Sequence, residues 1–360
     1  MMSRGAGFSM TVSNSLGGLT YILPIRSVTP MDRDLVAYLC QVARHAETIV
    51  VDGSPPGVFA AHGNALVDAI AEGLLHLPPS EVLTTEMGKV GGVLTGLRLA
   101  SRENVVVADD DVRYDERTLA AVVAALETAD VVRPQNYFEP LPWHACWDTA
   151  RMLLNRVTGG DWPGTLGVRR SALVATGGYD GRAMFENLEL VRTIVAAGGR
   201  EATLFDVFVA RRPSTVRHFW SQRVRQAYDE IARPGRLAVQ LALLPLGLML
   251  AVTGRWRAVA ASAAIAVVIA EAGRRRGGGR RVFPARTPLF APLWLAERAA
   301  TSWIAVVARV VLGGIPYRGR LLRHAATPMY VLRARHAALR ESGALAKGHR
   351  DPHEAGHRSV

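Results

Sequence analysis

The chain has 360 residues, enough for one large domain or for one domain with an appendage. Its 43 basic residues outnumber 31 acidic ones, a formal charge of +12, and no RNA- or DNA-binding motif accompanies that excess. Much of the excess sits beside apolar segments and in the tail, in clusters such as Arg274, Arg275, Arg276, Arg280 and Arg281, which fits an anionic membrane surface and excludes a nucleic-acid partner. Cys40 and Cys146 have no metal-ligand or redox spacing, and the N-terminus lacks the continuous apolar core of a secretory signal. The expectation is a catalytic part that stays in the cytoplasm, at the cell membrane.

In chain order, residues 1–18 read as a flexible N-terminus and 19–26 (LTYILPIR) as a buried strand. Residues 31–46 carry Met31, Leu35, Leu39 and Val42 at helical spacing. A second strand, 47–52, ends at Asp52 in a Gly-Ser-Pro turn. A helix is expected over 88–101, a strand over 104–114 closing on acids, a helix over 115–128 and a strand over 129–135. Strand–helix alternation with nearly continuous apolar strands predicts an α/β domain, a mostly parallel sheet covered on both faces by helices. Ligands bind such sheets at the carboxyl ends of the strands, where Asp52 and the triplet Asp109, Asp110 and Asp111 fall.

After residue 235 the composition changes. Residues 236–272 hold two apolar runs around Gly254, each slightly short of the ~20 residues of a spanning helix. They read as a transmembrane or re-entrant hairpin, with a buried hairpin in a soluble domain as the alternative. A basic cytoplasmic loop follows over 273–287, then an interfacial helix and basic segment over 288–334, since Glu297, Arg298 and Arg309 are costly inside a bilayer. The polar residues 335–360 are expected to be disordered.

The densest chemistry lies in VVVADDDV, residues 105–112. Carboxylates two apart at a strand end can share one divalent ion and a diphosphate, and an oxygen-only set suits Mg²⁺ or Mn²⁺. A triplet of this kind also serves as a helix cap, and Asp111 is a candidate for that role before the helix at 115.

The order of motifs resembles the inverting glycosyltransferases of family 2, which have the GT-A fold; the resemblance covers roughly residues 19–235. ILPIR matches the end of that family's first strand, which puts Pro24 and Arg26 at the nucleotide sugar. IVVDGS puts Asp52 at the nucleotide base, and Gly88-Lys89 matches a lysine-bearing helix before the metal motif. Asp109 and Asp111 match the DxD pair on metal and diphosphate, with Asp110 between them. Residues 159–181 match the acceptor-side segment, where Trp162 is a candidate acceptor contact. FENLELV (185–191) stands at the catalytic-base motif, and FWSQRVRQ (219–226) matches a Gln-x-x-Arg-Trp motif through Gln222 and Arg225.

Two positions depart from the pattern. Asn187 stands where the family has its aspartate, and an amide accepts no proton, which leaves Glu186 or Glu189 as the base. Gln226 replaces the tryptophan, which removes the ground for processivity. The resemblance implies a membrane-associated, metal-dependent transfer of sugar from a nucleotide-diphosphate sugar to a hydroxyl of a lipid-linked or glycan acceptor. Two alternatives stand beside it: a catalytically degenerate scaffold or sugar-nucleotide-binding protein, suggested by Asn187, and nucleotidyl transfer, disfavoured because Ile25 to Thr29 lacks the glycines that chemistry uses.

Overall fold

The computed structural model describes residues 16–317 and 320–341. β1 (Leu19–Ile25) is followed by α1 (Arg33–Ala43) and β2 (Glu47–Asp52), then by α2 (Pro56–Ala65), α3 (Val67–Ala71) and the short β3 (Leu75–Leu77). α4 (Gly88–Leu99), β4 (Asn104–Ala108), β5 (Val112–Arg113), α5 (Glu116–Leu126) and β6 (Val131–Phe138) continue the alternation. α6 (Trp143–Thr158), β7 (Thr165–Arg169), α7 (Arg170–Ala175), α8 (Glu186–Ala196) and β8 (Glu201–Arg211) close the sheet, and α9 (Val216–Ser221) and α10 (Arg223–Tyr228) lead away from it. The C-terminal part comprises α11 (Pro234–Val252), α12 (Trp256–Arg275), α13 (Ala291–Val311), a small hairpin of β9 (Ile315–Tyr317) and β10 (Arg320–Leu322), and α14 (Met329–Glu341).

The eight strands run in the order β3-β2-β1-β4-β7-β6-β8-β5, with β7 and β5 antiparallel to their neighbours. Both faces are covered, as the apolar strands require. Leu35, Leu39 and Val42 of α1 and Leu119 and Val122 of α5 bury one face; Val90, Val93 and Leu97 of α4 and Leu190 and Ile194 of α8 bury the other. The α/β sheet and the C-terminal apolar helices are those the sequence led us to expect.

Local details refine the expectations. The strand expected over 104–114 breaks at the acids, so that Asp109–Asp111 form a turn between β4 and β5. Asp115 and Thr118 form the capping box of α5, which frees Asp111 from a capping role. Residues 335–341, expected to be disordered, belong to α14, which buries Leu332 and His336. Leu16, within the stretch expected to be flexible, is fully buried, while residues 1–15 and 342–360 lie outside the described residues.

The C-terminal helices are not a detached appendage. The backbone of Gly273 in α12 lies so close to α6 that an added Cβ would come within 1.9 Å of the Leu153 carbonyl oxygen. The buried Arg156 guanidinium donates to the carbonyls of Gly273 and Phe205 at 3.0 Å each and to Gln135 at 3.0 Å, which ties sheet, α6 and α12 together. Two stretches, Pro234–Val252 and Trp256–Arg281, are long and apolar enough to cross a membrane, and only 6% and 17% of their apolar windows are buried.

Candidate active site

β1 lies between β2 and β4, and the chain leaves it in opposite directions, so a crevice opens at the carboxyl ends of these strands. The crevice is a cleft of about 550 Å³ walled by Pro24, Arg26, Gly53, Lys89, Asp109 and Asp110, among others. Its depth depends on a close approach: a Cβ on Gly92 of α4 would come within 2.8 Å of the Pro24 Cβ, so only glycine lets the helix approach β1 so closely.

Acids and cations alternate at the cleft's inner end. The Lys89 ammonium lies 2.5 Å from Asp109 Oδ1 and 2.8 Å from Glu186 Oε1. Arg211, at the end of β8, donates from Nε to Asp111 Oδ2 at 2.7 Å and lies 3.3 Å from Asp109 Oδ2. Burial disfavours every charge here, so the partners decide each state. Burial alone would lower the Lys89 pKa, yet Asp109 and Glu186 outweigh it and raise it. Burial would raise Asp109, but Lys89 and Arg211 hold it below the ordinary carboxylate value. Asp111 is pushed up to about 6 by burial, against Arg211 and with the charge of Asp109.

Asp111 Oδ1 is buried without a hydrogen-bond partner among the described residues. Four carboxylates meet here, Asp109, Asp110, Asp111 and Glu186, with Lys89 and Arg211 in contact and Arg113 and Arg225 acting from further off. An orphaned carboxylate oxygen beside a second carboxylate fits a divalent cation with oxygen ligands, held by Asp111 and Asp109.

The two base candidates separate clearly. Glu186 opens α8 and faces Lys89. Glu189 is fully buried and accepts the backbone N–H of Thr327 at 2.6 Å, so it anchors the segment before α14. Asn187 donates from Nδ2 to the Pro163 carbonyl at 2.9 Å. An aspartate could not make that bond, which gives the departure at this position a structural reason. Gln226 has one too: its Oε1 accepts from the buried Arg298 of α13 at 3.4 Å.

The remaining candidates are distributed as follows. Asp52 is 1% exposed, and Val51 and Gly53, not its carboxylate, line the cleft. Its Oδ2 lies 2.6 Å from His62 Nδ1 and 3.0 Å from His76 Nε2, while Oδ1 accepts from Ser54 N at 2.9 Å. These bonds outweigh burial and hold its pKa low. The three side chains bring potential ligand atoms within 4.8 Å of one another, but the 2.6 Å separation is that of a hydrogen bond. Arg225 donates to Gln222 Oε1 at 2.8 Å, and its charge reaches Asp109 and Asp229. Trp162 stands apart from the cleft, edge-on to Phe185 with centroids 5.2 Å apart, under the Arg133 guanidinium. Two acids outside that set, Asp148 and Asp161, pair with Arg223 and Arg151.

Arg211, His62 and His76 are absent from the sequence-based set. Arg211 lies 102 positions from Asp109 and meets it only because β8 pairs with β5, a partnership no local motif announces.

Fold and site together define an α/β domain with an acidic cleft at the switch point of its sheet, followed by apolar helices. No protein-family model and no curated protein matches the chain. Among solved structures it is similar to the mannosyltransferase PcManGT from Pyrobaculum calidifontis in complex with GDP-Man and Mn2+, at 18% identity, covering 95% of this chain and 89% of that one, with a TM-score of 0.45. It is also similar to mannosyl-3-phosphoglycerate synthase from Rubrobacter xylanophilus, at 14% identity, covering 58% of this chain and 73% of that one, with a TM-score of 0.40.

Proposed function

We propose that this chain is a membrane-attached, family 2 glycosyltransferase of the GT-A type. It transfers a sugar, with inversion, from a nucleotide-diphosphate sugar to a hydroxyl of a lipid-linked or glycan acceptor. The observation that carries the reading is the bridge from Asp109 through the Lys89 ammonium to Glu186, with distances of 2.5 Å and 2.8 Å. It joins the acidic turn, whose Asp109 and Asp110 wall a cleft wide enough for a nucleotide, to a second carboxylate at the cleft's edge through Lys89.

In this reading Pro24, Arg26 and Gly53 bound the donor, and Lys89 and Arg211 stabilise its diphosphate as charge develops on the leaving group. When bound at Asp109 and Asp111, a Mn²⁺ or Mg²⁺ ion adds Lewis-acid stabilisation of that charge. Glu186 takes the proton of the acceptor hydroxyl as the new glycosidic bond forms and the bond to the diphosphate breaks. Asp52 supports the cleft floor through Ser54 and leaves the base to the neighbouring backbone. Gln222 and Arg225 steady phosphate or acceptor, and Trp162 belongs to the acceptor side. The scaffold alternative leans on Asn187, whose amide has a structural partner while Glu186 keeps its carboxylate on Lys89, a residue of the cleft wall.

Attachment to the cell membrane is supported by the outer faces of α11 and α12, where Leu246, Leu248, Met249, Val252, Ile265 and Val268 are all more than half exposed or nearly so (50–87%). The C-terminal turns of α12 pack on α6, which favours a re-entrant hairpin with the catalytic domain on the cytoplasmic side.

Calorimetric titration of the solubilised chain with a nucleotide-sugar panel, with and without Mn²⁺, tests the proposal. One nucleotide class should bind only with the metal, and Asp111→Ala should abolish that binding at an unchanged melting temperature. Absence of any binding by the folded protein would leave the scaffold reading.

A further inference from the structure

A second cavity, of about 650 Å³, lies behind the catalytic cleft, between α6 and the helices α11, α12 and α13. Its two halves differ in chemistry. Arg133, Arg233 and Arg236 line one end, while Val239, Leu243, Ile269 and Leu295 line the other, and no carboxylate is among the described residues that wall it.

The cationic end is only partly neutralised from behind. Arg133 is paired with Glu201 at 2.6 Å, but Arg233 and Arg236 share one acid, Glu230, at 2.7 Å and 3.3 Å. Among direct contacts this leaves one more cation than acid at the cavity, with Asp229 and Asp161 acting on Arg233 from further off. Gly235 and Arg236 also open α11, whose N-terminus has no side-chain cap; Pro234 carries no N–H and those of Arg236 and Leu237 donate to the Arg233 carbonyl, so the Gly235 N–H is the first-turn donor left to a ligand. Trp294 gives an independent indication. It lines the cavity, is 3% exposed, and its indole N–H has no acceptor among the described residues. A buried donor left unmade is costly, and an anionic oxygen would satisfy it.

We propose that this cavity binds a lipid with an anionic phosphate headgroup, the phosphate at Arg233, Arg236 and the start of α11, and the hydrocarbon chain between α11, α12 and α13. The occupant is a lipid and not a soluble phosphate because the far half of the cavity is apolar and opens among helices whose outer faces are exposed and apolar. The inference rests on the membrane attachment proposed above, and it holds whichever hydroxyl accepts the sugar. Trp162, on the cavity wall, stands edge-on to Phe185, the residue before Glu186, so a lipid seated here is separated from the base by these two rings.

The experiment is equilibrium binding of phosphatidic acid, diacylglycerol and inorganic phosphate to the full chain in detergent. Phosphatidic acid should bind roughly tenfold or more tighter than diacylglycerol, the usual weight of hydrogen bonds to a charged group. Arg236→Gln should remove that preference, and Ile269→Trp, which fills the apolar half without changing charge, should weaken binding of both lipids. Because Arg236 also bonds Asn155 at 2.8 Å, Trp294→Phe provides a second variant that keeps the ring and removes the N–H. Equal affinity for the two lipids, or variants that bind as the parent does, overturns the proposal. Full competition by inorganic phosphate overturns it as well, and makes the cavity a site for soluble anions. Flotation with neutral vesicles reports attachment separately: a chain that floats yet fails these tests loses the lipid site and keeps its membrane.

Discussion

Lys89 is held between Asp109 and Glu186, so in this state the base proposed above is neutralised by the same ammonium that lines the cleft. In the proposed reaction, a bound diphosphate would give that ammonium a competing partner and release Glu186 toward the acceptor. Glu186→Gln should therefore preserve metal-dependent donor binding and slow transfer by roughly 10²–10⁴-fold, the usual weight of general-base catalysis. Glu189→Gln should preserve transfer and lower the melting temperature, since its carboxylate holds Thr327 N–H at 2.6 Å; the reverse pattern in single-turnover kinetics would exchange their roles. Asp229 supplies a second test at this scale. Burial raises it from 3.8 to about 7, with Arg225 opposing and Glu186 adding to the rise. The unfolded chain releases this proton near pH 4 and the folded chain only near 7, so stability falls between those values and levels off above. Asp229→Asn mimics the protonated acid, so its melting temperature should come closest to the parent near pH 3 and exceed it increasingly up to pH 8, by a gain of up to roughly 4 kcal/mol.

At the scale of elements, a helix glycine replaced by alanine normally gains about 1 kcal/mol from propensity alone. Gly273 reverses that sign, because the added Cβ would meet the Leu153 carbonyl at 1.9 Å and neither backbone can yield without parting α12 from α6. Gly273→Ala should lower the melting temperature and expose the Arg276–Arg281 segment to trypsin; an unchanged melting curve would mean that this helix pair is not packed so closely. The elements themselves were legible in the sequence where one local signal decided them: apolar runs for β1, β2 and β4, and heptad-like spacing for α1. The face each side chain takes was not. Val51 and Asp52 are adjacent on a strand and so point to opposite faces, and only the tertiary fold determines that the cleft opens on the side of Val51. The charges of α13 show the same limit. Glu297 and Arg298 argued for an interfacial helix, yet Arg298 is 1% exposed and turned toward Gln226, while Glu297 lies 3.5 Å from Arg223. The face left outside carries Trp303, Ile304, Val307, Val310 and Val311.

For the whole molecule, the tight joining of sheet and C-terminal helices determines how membrane attachment can be tested. Removal of residues 236–360 would strip the buried Arg156 of its acceptor at Gly273, Glu189 of its donor at Thr327, and α10 of the helix that covers it. Such a truncation should fail to fold, and its loss of membrane binding would say nothing about the hairpin. Substitution at exposed positions of the hairpin tip avoids that problem. Leu248, Met249 and Val252 are 58%, 50% and 87% exposed, so charge placed there removes no internal packing. Each acidic residue moved into hydrocarbon costs up to about 3 kcal/mol. Leu248→Glu combined with Val252→Glu should therefore release the full chain from neutral vesicles in flotation, with an unchanged melting temperature in detergent and intact donor binding. Continued flotation would transfer the anchor to the outward face of α13, and simultaneous loss of donor binding would mean that the hairpin helps to shape the catalytic cleft.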